Sequence, residues 1–170
     1  MSGHQPMKMT SVLFRIFYNL RIFRKRTCRC MSQVSGTLIV NMDIIADTNI
    51  FLAIALNEPE KKRIIQFTSG VNIIAPEILP YEIGNALSAM TKRKQVTHDE
   101  ALSAQKTVAS IPVRLIGVDV QHSLKIALDY DIYAYDAYFL RCAIFLNAPL
   151  MTLDKRLQKV ATKLNIKVLA

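Results

Sequence analysis

Asp43-Ile44-Ile45-Ala46-Asp47-Thr48-Asn49-Ile50 reads as a short buried strand that stops on an acid and two residues of helix-capping type. Its apolar part does not alternate, as expected of a strand covered on both faces. Asp47-Thr48-Asn49 breaks the run, and a short helix follows from Ile50 to Leu56. The same alternation continues downstream. Residues 71–75 are a second apolar, β-branched run, 114–118 read as a third strand, 149–152 as a fourth, and 166–169 as a last edge strand. Between them, Asn57-Glu58-Pro59 opens a helix that runs to about Phe67, closed by Ser69-Gly70. Pro76-Glu77 opens one lasting to about Arg93, with Leu79, Ile83, Ala86, Leu87 and Met90 as its core stripe. Thr97 and Glu100 are spaced as a capping box for a helix to about Ser110. Residues 119–130, 135–147 and 153–164 complete the helical set. Short apolar strands alternating with helices predict an α/β domain, a mostly parallel central sheet of four to five strands flanked by helices. In such folds ligands sit outside the carboxyl ends of the strands.

The chain has 170 residues, 51% hydrophobic and 21% charged, the composition of one folded domain with a real core. Its net charge of +9 is unevenly spread. Residues 1–41 hold seven Lys/Arg and no Asp or Glu, whereas residues 42–170 hold fifteen Lys/Arg against thirteen Asp/Glu, a net of +2. The basic excess therefore says little about the domain at 42–170. For the extension at 1–41, three readings compete: a gene-model artefact upstream of a true start at Met42 or Met31, a disordered basic arm touching RNA phosphates, or an amphipathic helix around Leu13, Phe14, Phe17 and Leu20. The first outweighs the other two together, so removing 1–41 is expected to leave folding and activity intact. The apolar piece from Ser11 to Phe23 is interrupted by Arg15 and Arg21 and is too short to span a membrane or serve as a secretory signal. Cys28 and Cys30 lack the partners of a zinc site, and Cys142 reads as a small buried hydrophobe. A reducing, cytoplasmic location is expected.

Four acids stand apart. Asp47 directly follows the first strand and Asp154 follows the fourth by two residues. Asp136 starts a helix, and Glu82 lies in the first turns of the helix after the second strand. Singly, Asp47, Asp136 and Asp154 are ordinary capping or helix-dipole residues, and Glu82 is a solvent-facing one. Jointly, they fall near one edge of the inferred sheet, embedded in apolar neighbours. Four carboxylates in one crevice repel unless a cation joins them. Mg²⁺ and Mn²⁺ take such oxygen ligands and activate water for phosphodiester hydrolysis.

At these residues the chain resembles the PIN-domain ribonucleases, specifically VapC-type toxins of toxin–antitoxin pairs. The resemblance runs through Ile44-Ile45-Ala46-Asp47-Thr48-Asn49-Ile50, Ala75-Pro76-Glu77-Ile78-Leu79-Pro80-Tyr81-Glu82-Ile83-Gly84-Asn85-Ala86-Leu87, Tyr135-Asp136-Ala137-Tyr138-Phe139-Leu140 and Pro149-Leu150-Met151-Thr152-Leu153-Asp154-Lys155-Arg156-Leu157. No single stretch is specific, but the four in order are. The resemblance implies a Mg²⁺- or Mn²⁺-dependent endoribonuclease, often a homodimer, held inactive by a cognate antitoxin protein. It implies Asp47, Glu82, Asp136 and Asp154 as the catalytic acids, with metal on Asp47, Asp136 and Asp154. Thr48, Asn49 and Thr152 are the implied hydrogen-bonding supports.

Other features carry less. Lys92-Arg93-Lys94 ends a helix, where cations offset the helix dipole; phosphate contact is a second use. Lys155 and Arg156 follow Asp154, where contact with RNA near the metal competes with a plain role as solvated helix residues. His98 and His122 do not converge, so a histidine ribonuclease is disfavoured. Tyr130, Tyr133, Tyr135 and Tyr138 cluster near Asp136. The alternative from another class is a non-catalytic PIN-fold module that binds RNA or protein. A receiver-like phosphoacceptor lacks the acidic pair and the strand-end Asp it needs.

Overall fold

The computed structural model describes residues 42–169, so the readings of residues 1–41 fall outside the described residues. Five strands form one sheet: β1 (Asp43–Ala46), β2 (Asn72–Pro76), β3 (Arg114–Ile116), β4 (Leu150–Met151) and β5 (Val168–Leu169). All pairings are parallel and the order is β3-β2-β1-β4-β5. Seven helices connect them: α1 (Thr48–Ala55), α2 (Lys61–Thr68), α3 (Leu79–Lys92), α4 (His98–Ala109), α5 (Val120–Tyr130), α6 (Ala134–Leu146) and α7 (Lys155–Lys163). The α/β class and the parallel sheet match the sequence reading, with the sheet wholly rather than mostly parallel.

β1 is central because its three apolar residues cannot face water. Ile44, Ile45 and Ala46 are fully buried. The chain first builds outward from β1 through β2 to β3, then returns to the other side of β1 for β4 and β5. The crevice between β1 and β4 is the topological switch point, where α/β sheets open for ligands at the carboxyl ends of their strands. α6 packs across β1, β2 and β4. It buries Ala137, Phe139, Leu140, Cys142 and Ala143, which fixes its first turn close to that crevice. At the opposite, amino-terminal edge, Asp43 ties three strands: it accepts from Asn72 Nδ2 at 2.8 Å and pairs with Arg114 at 3.5 Å.

Four helix starts differ by more than one residue from the sequence reading: α1 begins at Thr48 rather than Ile50, α7 at Lys155 rather than Leu153, and two others shift further. Asn57, at φ 59°, belongs to the turn that leaves α1, and α2 begins only at Lys61. Pro76 does not open α3. It ends β2, paired with Ile116, and α3 begins at Leu79 with Pro80 in its first turn, where a missing N–H costs nothing. The capping box of α4 forms as expected, Thr97 and Glu100 each accepting from the other's backbone N–H. Among the described residues no helix is long and apolar enough to cross a membrane.

Candidate active site

Asp47 stands where β1 ends, its N–H bound to the Met151 carbonyl at 3.0 Å. It caps α1 and is only 6% exposed. Three donors hold its carboxylate. The Thr48 N–H reaches Oδ1 at 2.7 Å, while Thr152 Oγ1 and Asn49 Nδ2 reach Oδ2 at 2.7 and 2.6 Å. Burial nevertheless pushes its pKa from an ordinary 3.8 up to about 7, and the charges of Glu82 and Asp136 add to the rise against the hydrogen bonds from Thr152 and Thr48.

Glu82, in the first turn of α3, accepts from the Thr48 hydroxyl at 2.6 Å. Thr48 therefore bridges two acids, its N–H on Asp47 and its hydroxyl on Glu82. Burial, and then the Asp136 charge, raise the Glu82 pKa. Burial also raises that of Asp136, joined by the Asp154 charge and opposed by the Arg156 guanidinium. Asp154 is the exposed member of the set. It caps α7, its Oδ1 accepting from Arg156 N at 2.6 Å and Leu157 N at 3.0 Å. The four acids thus form one electrostatic chain across the switch point, from β1 and α3 through α6 to the start of α7.

Asn49 and Thr152 clasp the two sides of the crevice. Asn49 Nδ2 also donates to Thr152 Oγ1 at 3.1 Å, and its Oδ1 accepts from Leu153 N at 3.1 Å. Thr152, fully buried, donates to Asp47 and accepts from Asp154 N at 3.0 Å. One hydroxyl therefore fixes an acid on each side. The sequence reading did not single out Gln158, whose Nε2 donates to the Thr152 carbonyl at 2.8 Å and closes the β4–α7 turn. A glutamine four residues into a helix carries no local signal of that role.

The donor set suits a hard divalent cation, being made of oxygens alone. Among the described residues no three His, Cys, Asp or Glu side chains are drawn together as a closed metal cage. Mg²⁺ and Mn²⁺ sites need only one or two carboxylates per ion and keep several waters.

Residues 44–163 match the PIN domain family. The chain belongs to that family. Among solved structures it is similar to PAE2754 from Pyrobaculum aerophilum, at 21% identity and TM-score 0.56, over 74% of this chain and 83% of that one. It is also similar to VapBC2 from Rickettsia felis, solved bound to a DNA fragment from their promoter, at 17% identity and TM-score 0.55, over 75% of this chain and 98% of that one. Comparison with curated proteins finds no match.

The remaining predicted residues of this PIN domain divide by position. Lys155 and Arg156 begin α7 beside the acids, and Arg156 also donates to the Asp131 carbonyl. Lys92, Arg93 and Lys94 lie at the other end of α3 from Glu82, about 15 Å along the helix. An open depression of ≈ 420 Å³ at the α3–α4 turn, lined in part by Lys94, His98 and Glu100, lies at that far end too. His122 pairs with Asp119 at 2.9 Å, and His98 starts α4. Tyr135 and Tyr138 meet edge to face at 6.1 Å. Cys142 is fully buried, which pushes its thiol up to about 12 and makes it inert.

Proposed function

We propose that this PIN domain is an endoribonuclease that hydrolyses RNA phosphodiester bonds with Mg²⁺ or Mn²⁺, and that it is the toxin of a type II toxin–antitoxin pair. The observation that carries the nuclease reading is the gathering of acids at the switch point: Thr48 bridges Asp47 and Glu82, and the pKa values of Asp47, Glu82 and Asp136 all rise through burial and the charge of a neighbouring acid. As a stability device such a cluster is poor, because ionising it costs free energy. As a cation trap it is well built. Asp47, Asp136 and Asp154 are the assigned metal ligands, and Glu82 completes the cluster directly or through water.

A divalent cation bound there supplies positive charge to the phosphate oxygens and lowers the pKa of water. The chain's own contribution is to hold the acids in place. Thr152 and Asn49 lock Asp47, Thr48 orients Glu82, and the α7 cap fixes Asp154. The Arg156 guanidinium, on the same turn, puts a positive charge beside Asp136.

Likeness to VapBC2 supports the toxin reading and a small antitoxin partner. Exposed Val120, Leu124 and Leu128, which share one face of α5, support a homodimer. A cytoplasmic location goes with that assignment. The deciding experiment is cleavage of an end-labelled structured RNA by the purified chain with Mg²⁺ or Mn²⁺, with EDTA, and with the D47N variant. Metal-dependent cleavage that D47N lowers by more than about 100-fold is expected, beyond the range for loss of a residue that merely supports a metal ligand. Absence of cleavage across transfer, ribosomal and messenger RNA would overturn it in favour of a non-catalytic binding module.

A further inference from the structure

The near balance of charge over residues 42–170 conceals a steep internal division. Residues 42–154 hold ten Lys/Arg against thirteen Asp/Glu, a net of −3, whereas residues 155–170 hold five Lys/Arg and no acid. Four of the five belong to α7. Lys155, Lys159 and Lys163 are spaced four apart, so they line one face of the helix in steps of about 6 Å. All three are exposed, as is Lys167 beyond the helix. Among the described residues none of these four lysines is in a salt bridge, while Arg156 pairs with Asp131 at 3.5 Å.

This arrangement works against the helix that carries it. Lys155 and Arg156 occupy the first turn of α7, which has no acidic residue. Cations there oppose the helix dipole, at about 0.3–1 kcal/mol each. The lysines at i and i+4 also repel one another. Folding gives a reason only for Lys163, which sits in the last turn where a cation offsets the dipole; it gives none for Lys155 and Lys159. The opposite face explains why it stays solvent-facing: Leu157, Val160 and Ala161 anchor α7 on the core. The row starts one residue after Asp154 and leads away from the acids.

We propose that the Lys155–Lys159–Lys163 face of α7 is the track for the substrate's phosphate backbone, holding the strand on one side of the scissile bond as it leaves the acidic crevice. The proposal deepens the nuclease reading and rests on it for the polarity of the track. The chemistry recognised is a run of phosphodiesters at near-regular spacing, read by point charges without base contacts. Lys92, Arg93 and Lys94, at the remote end of α3, are not part of it.

The test measures binding of a uridine 20-mer RNA to the full chain in EDTA at several salt concentrations. It compares the wild type, the triple variant K155Q/K159Q/K163Q and a charge-matched triple, K61Q/K62Q/K106Q. At 0.15 M salt the α7 triple should bind roughly 50-fold more weakly, with a log–log salt slope shallower by about 2, from about 0.7 per lysine. The control triple should stay close to wild type. Equal losses in both triples, or none in the α7 triple, would overturn the track. A thermal midpoint for the α7 triple at or above wild type excludes misfolding. A same-length DNA strand serves as a second arm: equal dependence on the three lysines supports backbone recognition as such. A polyglutamate of similar charge serves as a third, and a matching 50-fold loss there would overturn the track in favour of an acidic protein partner. Wild-type binding that depends on the lysines, without cleavage in Mn²⁺, would sink the nuclease reading while leaving the strand-binding face standing.

Discussion

Asp47 and Asp119 perform the same local task and differ in almost everything else. Each follows a strand, sits at a helix N-cap in extended conformation and accepts a backbone N–H from the helix it starts. Asp119 does this in water. Hydrogen bonds from the His122 backbone and ring hold its carboxyl below the usual range. Asp47 does it 6% exposed, beside two other acids, and its pKa rises to about 7. The contrast shows that a capping hydrogen bond does not decide the charge state of a carboxylate. Solvent and neighbours do. It also separates a residue whose charge helps the fold from one whose charge burdens it.

The largest expected difference between the two is in activity. D47N should lower metal-dependent cleavage by more than about 100-fold, while D119N should leave it unchanged, since asparagine caps as well as aspartate. Loss of cleavage in both would break the comparison and make the second cap part of the machinery.

The next effect is the pH dependence of stability without metal. Asp47 ionises near pH 4 when unfolded and near 7 when folded, so between those values the folded state holds the extra proton. Stability therefore falls as pH rises through that window, by up to about 4 kcal/mol. The raised pKa values of Glu82 and Asp136 push the same way. Asp119 pushes the other way, its contribution present above its unfolded pKa and lost on acidification. Urea midpoints in EDTA should drop from pH 5 to pH 8 and recover with Mn²⁺, more so at pH 8. A flat profile, or one that D47N does not flatten, would contradict the assignment of Asp47 as a buried site acid.

Thr152→Val tests whether the site or the fold is what the buried hydroxyl serves. The change keeps the shape and removes a donor to Asp47 and an acceptor for Asn49 and for the Asp154 N–H. A stability cost of about 1–3 kcal/mol is expected from the groups left unpaired. Cleavage should fall about 10- to 100-fold, the usual penalty for losing a group that orients a metal ligand. A variant that loses stability but cleaves normally would reduce Thr152 to a packing residue.

How much of this was legible beforehand follows from the same physics. β1 and the parallel sheet were readable because a short apolar run, Ile44, Ile45 and Ala46, ends on capping residues and the same pattern of short runs alternates with helices downstream. The α4 start was readable because Thr97 and Glu100 sit at the spacing a capping box requires. Pro76 misled because a proline after a β-branched run marks a helix start as readily as the end of a strand, and only its pairing with Ile116 decides. At the site, residue types and order pointed to Asp47, Glu82, Asp136 and Asp154. Burial and coupling were not readable, since Asp47 and Asp119 look alike in one dimension. The division of charge at Asp154 was hidden by averaging over the domain.

Asp119→Ala carries the smallest effect and tests the quieter half of the comparison. The substitution removes the acceptor for His122 N at 3.0 Å and the contact to its ring at 2.9 Å. Both lie at the surface, so water replaces what is lost, and the thermal midpoint at pH 7 should fall by a few degrees at most. That difference should shrink as the pH is lowered through the range in which the unfolded carboxyl protonates, because the wild type then loses its own advantage. Asp47→Ala should behave oppositely, gaining on the wild type as pH rises, since it removes a charge that the folded state is reluctant to form. If the two alanine variants instead show pH profiles of the same sign, burial is not what sets Asp47 apart, and its carboxyl is wetter than the 6% exposure of the residue indicates.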